Sequence, residues 1–209
     1  LLIPNFVDAD LYSIKSSISL PDEFEKIKGY TNIVYAGNIG LAQEWDLIIN
    51  LAKEIKEFKI TIWIVGEGQR KPYLESKIIK NELDNIKLLP YYDRKFMPAI
   101  NLFADIHFIA MNKKVEKYGF PSKVYTIMAS GKPILVVSSE GTPIVSFLKE
   151  INAALLVTDH SISRFKEELL KLHNSVDLRN KLGANGRQEI KKKYSKQVVV
   201  EQYLRLFNK

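Results

Sequence analysis

From Asn32 onward, short apolar runs typical of β-strands alternate with stretches of helical periodicity. The strand runs are rich in β-branched residues and cover Asn32–Ala36, Ile60–Val65, Ile86–Leu89, Ile106–Ala110, Ile134–Val137 and Ala153–Val157. Helical patterns lie between them at about Glu44–Phe58, Arg70–Asn81, Arg94–Phe103, Lys123–Ser130 and Pro143–Lys149. Because strand and helix alternate throughout, we expect an α/β fold with a doubly wound, parallel six-stranded sheet. Such sheets bind ligands beyond the carboxyl ends of their strands.

The pattern changes at both ends of the chain. After Ile162 it is wholly helical, with predicted helices at Ile162–His173, Val176–Lys192 and Lys196–Phe207. Gly183 and Gly186 are expected to bend or divide the second of these helices. We therefore expect an extended connector over residues 1–12, a Rossmann-like domain over 13–192 and a C-terminal helix over 193–209. The apolar start without methionine is typical of a piece cut from a longer protein.

Composition excludes several classes of site. The chain has no cysteine, so it can form neither a disulfide framework nor a thiolate zinc site, and its three histidines are scattered. No apolar run is long enough to span a membrane, and no secretory signal opens the chain. The net charge of +7 is moderate, and its densest source is Lys191–Lys193. We interpret this run as a solvated helix face; contact with anionic lipid is the alternative, and no interleaved aromatic residues favour nucleic acid.

Glycines and small polar residues follow the predicted strands. The first strand leads into Gly37-Asn38-Ile39-Gly40, which is neither a GxGxxG motif nor a Walker loop. The second ends in Gly66-Glu67-Gly68, and the third in Pro90-Tyr91-Tyr92-Asp93. Glycine lets a backbone approach a ligand closely, although tight turns also use it for steric reasons alone. This edge suits a phosphate-containing ligand, and it shows no pattern of catalytic triad, paired carboxylates or metal ligands.

The stretch from Tyr118 to Val137 is the most informative part of the chain. It places Ser122 as the expected N-cap of a short helix and Gly131 at that helix's end, before a buried strand. Lys123 falls in the first turn, where the helix dipole disfavours a cation by a few tenths of a kcal/mol, up to about 1. A bound phosphate would make a positive charge at this position favourable instead. The alternative is an ordinary solvated lysine.

Together these residues resemble the C-terminal, donor-binding domain of a GT-B fold glycosyltransferase of family 4, the glycosyltransferase group 1 type. The likeness covers nearly the whole chain, and its most specific motif is GFPSK followed by MASGKPI. The resemblance implies a retaining transfer from a nucleotide-sugar, with no bound metal or other cofactor. It is strongest to bacterial enzymes that make capsule or O-antigen polysaccharide from UDP-linked amino sugars.

The resemblance also implies a donor site. Gly37 and Gly40 would lie against the diphosphate, Glu67 and Tyr91 would flank the base, and the phosphates would meet Ser122, Lys123 and Val124. Gly119, Phe120 and Pro121 complete the candidate site.

Four positions depart from the family pattern. Asn38 and Gln43 stand where the family often has an arginine and a lysine, and Tyr118 and Thr126 replace its two glutamates. Thr126 can offer the ribose hydroxyls only a weaker hydrogen bond.

Three functions stay open at this point. The first is the donor-binding half of a transferase whose glycan or lipid-linked acceptor binds a missing N-terminal domain. The second is a non-catalytic nucleotide-binding or glycan-binding module, and the third is a nucleotide-sugar epimerase of the same architecture. For the first, the resemblance implies a cytoplasmic location, with peripheral contact at the inner face of the membrane as an option and no nucleic acid partner.

Overall fold

The computed structural model describes residues 6–12 and 19–207. It contains six parallel strands: β1 (Thr31–Ala36), β2 (Ile60–Val65), β3 (Ile86–Leu89), β4 (Ile106–Ala110), β5 (Ile134–Val137) and β6 (Ala154–Val157). Their order across the sheet is β3-β2-β1-β4-β5-β6. The predicted α/β fold is therefore confirmed, and each strand boundary lies within one residue of its predicted position.

Helices cover both faces of the sheet. They are α1 (Trp45–Glu54), α2 (Lys71–Lys80), α3 (Met97–Phe103), α4 (Lys123–Ala129), α5 (Pro143–Ile151), α6 (Ile162–Asn174), α7 (Val176–Glu189) and α8 (Lys196–Phe207). One face packs Ile33 and Tyr35 of β1 against α1, α2 and α6. The other packs Val34 against α3, and β4 and β5 against α4 and α5. Because successive side chains of a strand point to opposite faces, each buried strand serves two cores.

Two predictions about helices are wrong. Helix α1 ends at Glu54 rather than Phe58, because the chain turns there and enters β2 at Ile60. Gly183 and Gly186 neither bend nor divide α7, which runs through both and is followed by a π-helical segment at Ile190–Tyr194. These glycines serve close packing instead. A Cβ placed on Gly183 would lie 2.0 Å from the Gly131 carbonyl oxygen.

The described part of the predicted connector, residues 6–12, is attached to the domain. The N–H of Val7 donates to the Tyr194 carbonyl at 3.0 Å, and the N–H of Lys196 donates to the Val7 carbonyl at 3.2 Å. A 3-10 turn at Ala9–Tyr12 follows and brings Tyr12 against α3 and α4. Residues 1–5 of the predicted connector lie outside the described residues, so the proposed domain boundaries stay a prediction.

Candidate donor site

The crevice at the carboxyl edge of the sheet opens between β1 and β4. The chain leaves β1 toward β2 on one side and enters β4 on the other, so this is where the direction of strand order reverses. Ligands of doubly wound sheets bind at such points. A cavity of about 250 Å³ lies there. Its polar lining comes from the connector, α3, β4, α4 and the turn before α3, and consists of Tyr12, Arg94, Asn101, His107, Ser122, Lys123 and Thr126.

The loop after β1 is held close to the loop after β2. The N–H of Ile39 donates to the Glu67 carbonyl at 2.8 Å, and the N–H of Gly37 donates to the Val65 carbonyl at 2.9 Å. Gly37 has φ +144° and Gly66 has φ +149°, and a Cβ on Gly66 would lie 2.0 Å from the Gly37 carbonyl oxygen. Glycine is therefore required at both positions for backbone conformation and for space.

Lys123 crosses from the first turn of α4 to this glycine loop. Its Nζ lies 3.5 Å from the centre of the Tyr35 ring, a cation–π contact. A Cβ on Gly37 would come within 2.8 Å of the same Nζ. The Nζ is buried and has no hydrogen-bond partner among the described residues. The ordinary solvated lysine considered above is therefore excluded, and the ammonium is aimed at the predicted diphosphate position.

Burial controls the charge of this lysine. Desolvation lowers the pKa of Lys123 from 10.5 to about 7, because the charged form loses its water without gaining an anionic partner. An anion placed beside Nζ would restore the charged form. The geometry therefore links binding of a phosphate to protonation of Lys123.

The start of α4 differs in detail from the prediction. Ser122 makes no side-chain cap, because its φ of −58° and ψ of −22° are already helical. The N–H of Val124 donates to the Pro121 carbonyl at 3.0 Å, so it is occupied in this structure. The Val124 side chain is fully buried, and Phe120 packs on Tyr125 and Phe147. Ser122 and Lys123 are thus the residues of this turn whose side chains line the cavity.

Thr126 lines the same cavity one turn further along α4. Its hydroxyl donates to the Lys123 carbonyl at 2.9 Å, and its oxygen keeps lone pairs that can accept a hydrogen bond. Tyr12 reaches Thr126 from the connector, and burial raises the pKa of the Tyr12 phenol, so this hydroxyl is neutral. Two neutral hydroxyls therefore replace the carboxylate that the family resemblance leads one to expect.

Sequence reasoning missed Arg94. This residue follows the helix-capping Asp93, whose carboxylate accepts from the Lys95 N–H at 2.9 Å, and its side chain lines the cavity that Lys123 also borders. It supplies a cation to a site in which the arginine and lysine positions of the family hold Asn38 and Gln43. Its place directly after the third strand end was the available signal.

His107 also lines the cavity, from β4. Its Nε2 lies 3.1 Å from the Asn101 carbonyl oxygen, and burial lowers the pKa of His107 to about 4. The imidazole is therefore neutral at pH 7, and the two cations of the cavity lining are Arg94 and Lys123.

The remaining predicted residues lie around the loop edges. Asn38 folds back over Gly40, and its carbonyl accepts from the Tyr35 hydroxyl at 2.6 Å. Gln43 is buried, with Nε2 3.9 Å from Met111 Sδ and Oε1 without a partner among the described residues. Met111 in turn lies against Gly119. The buried amide of Gln43 thus stands beside the loop that leads to α4.

Glu67, Tyr91 and Tyr118 are more open to solvent. The Glu67 carboxylate pairs with Lys71 Nζ at 2.5 Å on the surface of α2. Tyr91 is 65% exposed and Tyr118 is 91% exposed. The structure brings neither tyrosine into the cavity lining, so the base contacts inferred for Glu67 and Tyr91 stay a prediction.

The described residues contain neither a cluster of metal ligands nor a helix that could cross a membrane. Within residues 6–12 and 19–207, no three acidic, histidine or cysteine side chains converge as metal ligands would. Over the same ranges, no helix has the length and apolar character needed to cross a bilayer. The absence of a metal requirement stays a prediction.

The strand order and the crevice at its switch point define this chain as an α/β domain of the doubly wound class. Residues 18–189 match the family described as glycosyl transferases group 1. The chain belongs to that family, and the resemblance inferred from GFPSK and MASGKPI is confirmed.

Curated relatives agree with this assignment. WcaI of Escherichia coli (strain K12), provisionally named a colanic acid biosynthesis glycosyl transferase, is 26% identical over 175 residues, which are 81% of this chain and 42% of WcaI. The poly(ribitol-phosphate) alpha-N-acetylglucosaminyltransferase of Staphylococcus aureus (strain COL) is 24% identical over 165 residues, covering 78% of this chain and 32% of that enzyme. The chain thus spans less than half the length of these two relatives.

Solved structures support the fold. A mutant of TarM from S. aureus, in complex with fondaparinux, alpha-GlcNAc-glycerol and UDP, superposes with a TM-score of 0.75 at 20% identity, covering 100% of this chain and 39% of TarM. HepE of Anabaena, in complex with UDP and glucose, gives a TM-score of 0.81 at 14% identity, covering 99% of this chain and 56% of HepE. The domain therefore has the Rossmann-like architecture found in GT-B glycosyltransferases.

Proposed function

We propose that this chain is the donor-binding half of a retaining glycosyltransferase, and that it binds the diphosphate of a nucleotide-sugar between the Gly37–Gly40 loop and the first turn of α4. The observation that carries the proposal is the buried Nζ of Lys123, which lies against Gly37 and has no hydrogen-bond partner in the part of the chain that the structure describes. A desolvated ammonium is costly unless an anion completes its environment. The donor phosphates are the anion that this class of domain receives.

Arg94 and the two hydroxyls of Tyr12 and Thr126 extend the same site. A guanidinium can bind phosphate oxygens through paired hydrogen bonds, and neutral hydroxyls suit the ribose. These residues compensate for the arginine and lysine of the family pattern, whose positions hold Asn38 and Gln43 in this chain. The proposal therefore does not require the arginine and lysine of the usual pattern.

The finer assignment is a UDP-linked amino sugar as donor and a lipid-linked or polysaccharide acceptor. The names of WcaI and of the S. aureus N-acetylglucosaminyltransferase support this choice, as does UDP in the TarM and HepE complexes. The acceptor would bind a partner domain outside this chain, so we expect this chain alone to bind donor and transfer no sugar. In this scheme the reaction is cytoplasmic, and the exposed Lys191–Lys193 run suits contact with anionic lipid.

The second candidate is a non-catalytic nucleotide-binding module. Tyr118 and Thr126 favour it, because neither can replace a carboxylate in charge. Transfer from a nucleotide-sugar to a lipid-linked acceptor, assayed with the full-length protein, separates the two candidates. Donor binding without any transfer would favour the module.

The Lys123→Ala variant tests the phosphate site. We expect it to weaken UDP binding by about 1.5–3 kcal/mol, the contribution of a charge-assisted hydrogen bond, and to leave uridine binding unchanged. Isothermal titration calorimetry with both ligands measures these affinities, with Lys80→Ala, an exposed lysine at the end of α2, as the charge-matched control.

The same titrations can also contradict the proposed phosphate site. Equal UDP affinity for Lys123→Ala and the parent would refute the phosphate role, and equal losses for UDP and uridine would indicate a damaged α4. With EDTA present, we expect the parent's UDP affinity to stay the same. Loss of most affinity on chelation would instead require a metal site.

A further inference from the structure

A buried carboxylate lies beside the candidate donor site, in the loop between β4 and α4. Glu116 is 2% exposed, although the neighbouring Lys113, Lys114 and Lys117 face solvent. Carboxylates are rarely buried unless they are paired or hydrogen-bonded, because burial removes their hydration. The inward orientation of Glu116 therefore needs an explanation within the fold.

Four donors converge on this carboxylate from the ends of β5 and β6. The Ser138 hydroxyl donates at 3.1 Å, the Ser139 N–H at 2.9 Å and the Ser139 hydroxyl at 2.5 Å. His160 Nε2 lies 3.1 Å away and completes the set. Burial alone would raise the pKa of Glu116, but the bonds from Ser139 and Ser138, with the charge of His160, lower it. Glu116 is thus ionised and accepts hydrogen bonds through both of its oxygens.

The four bonds fix a loop that leads into the first turn of α4, where Ser122 and Lys123 line the cavity. The loop begins at Asn112, whose N–H donates to the Ala42 carbonyl at 2.9 Å, next to Gln43. Two residues after Glu116 it reaches Tyr118, and it then enters the first turn of α4 at Lys123. The carboxylate bonds tie the middle of this loop to residues that follow β5 and β6.

The same bonds prevent Glu116 from acting on the sugar directly. Glu116 stands two residues before Tyr118, the position where the family pattern has its first glutamate. Its oxygens instead accept hydrogen bonds from three residues of this chain, and its side chain is 3% exposed. A contact with substrate would require these bonds to break.

We infer that Glu116 is a positioning residue for donor binding: its carboxylate holds the β4–α4 loop against Ser138, Ser139 and His160 and thereby sets the place of the α4 first turn. This inference rests on the proposed function. It assigns a role to His160 and to the Ser138-Ser139 pair, which the donor site itself does not use.

Glu116→Gln is the direct test, because it keeps the shape and removes the charge and half of the acceptor capacity. The matched control is Glu168→Gln, another buried glutamate, which pairs with Lys171 at 2.8 Å on α6. Hydrogen exchange measured by mass spectrometry should rise by roughly tenfold or more in peptides covering 112–121 for Glu116→Gln alone. UDP affinity should fall by roughly tenfold, about 1.4 kcal/mol, for Glu116→Gln and stay unchanged for the control.

A double variant distinguishes positioning from general loss of stability. If Glu116 acts by placing the first turn of α4, the losses of UDP affinity in Glu116→Gln and Lys123→Ala should not add, because both remove the same phosphate contact. Fully additive losses would overturn the inference. Should Glu116→Gln fail to fold, Ser139→Ala removes one donor hydroxyl and should give a smaller loss in the same direction.

The proposed function and this inference fail in different ways. We call the bonds of Glu116 to Ser138, Ser139 and His160 the Glu116 clamp. If the loop exchanges faster in Glu116→Gln while UDP affinity equals that of the control, this clamp has a structural role only and the positioning role is refuted. If the parent chain binds no UDP, the proposed function fails and the inference falls with it. Unchanged exchange in both variants would refute the clamp itself.

Discussion

Lys123 places its side-chain nitrogen in a desolvated position beside the cavity. Its position in the first turn of α4 costs only a few tenths of a kcal/mol, up to about 1, through the helix dipole. Desolvation is the larger effect, because it lowers the pKa from 10.5 to about 7. One pKa unit corresponds to about 1.4 kcal/mol, so the desolvation cost of the charged form of Lys123 exceeds the cost from the helix dipole. The contact with the Tyr35 ring offsets only part of that desolvation cost.

Lys123→Met should therefore stabilise the ligand-free chain. We expect the free energy of unfolding at pH 7 to rise by about 1–3 kcal/mol, since the variant keeps the side-chain volume and removes a desolvated charge. Urea denaturation followed by circular dichroism measures the change.

The pH dependence of the stability gained by Lys123→Met is the control for this prediction. Between the folded pKa of about 7 and the unfolded value of 10.5, the unfolded parent binds more protons than the folded parent. The parent's stability therefore rises with pH across this window, and the advantage of Lys123→Met should be full below it and vanish at its upper end. A gain that does not change with pH would show that packing, rather than charge, is responsible.

At the scale of elements, the local sequence pattern was sufficient to predict the strands of the sheet. It was insufficient to predict the contacts between elements. The run Ile134–Val137 is apolar throughout because β5 is buried on both faces, so its bounds could be read directly. Gly183 could not be interpreted in this way. Its neighbour in space is the backbone of Gly131, more than fifty residues earlier, and no local pattern records that approach.

The cation of Arg94 and the bonds of Glu116 were missed for the same reason. Arg94 lines a cavity together with residues from other strand ends, and Glu116 bonds to residues that follow β5 and β6; only the order of strands in the sheet brings those ends together. The family motif located Lys123, whereas its burial depends on Tyr35, which belongs to a different strand.

Gly183→Ala gives an element-level test. In a helix that faced solvent, the change would stabilise by about 1 kcal/mol. Here we expect the opposite sign, a loss of about 1–3 kcal/mol, because the added methyl would meet the Gly131 carbonyl and push α7 away from the turn before β5.

Thermal unfolding with Asn180→Ala as the control checks this prediction, since Asn180 is an exposed residue of the same helix and its replacement should be neutral or slightly stabilising. A stabilised Gly183→Ala variant would show that α7 does not approach Gly131 as described.

At the scale of the whole molecule, the strand order brings separate loops to one crevice. The loops after β1, β3 and β4 meet at the switch between β1 and β4, and they contribute Gly37, Arg94 and Lys123. No one of these segments forms the proposed phosphate site by itself. The site depends on the doubly wound fold, and the clamp at Glu116 links it to the ends of β5 and β6.

The proton taken up when UDP binds tests the central claim most directly. At about pH 8.5 the ligand-free Lys123 is mostly neutral and the UDP phosphates are already ionised, so pairing the ammonium with phosphate requires a proton from the buffer. Calorimetric titrations in buffers of different ionisation enthalpy count that proton. We predict uptake approaching one proton per UDP for the parent and none for Lys123→Met. UDP binding without proton uptake by the parent, or with equal uptake by both proteins, would contradict a phosphate-bound Lys123.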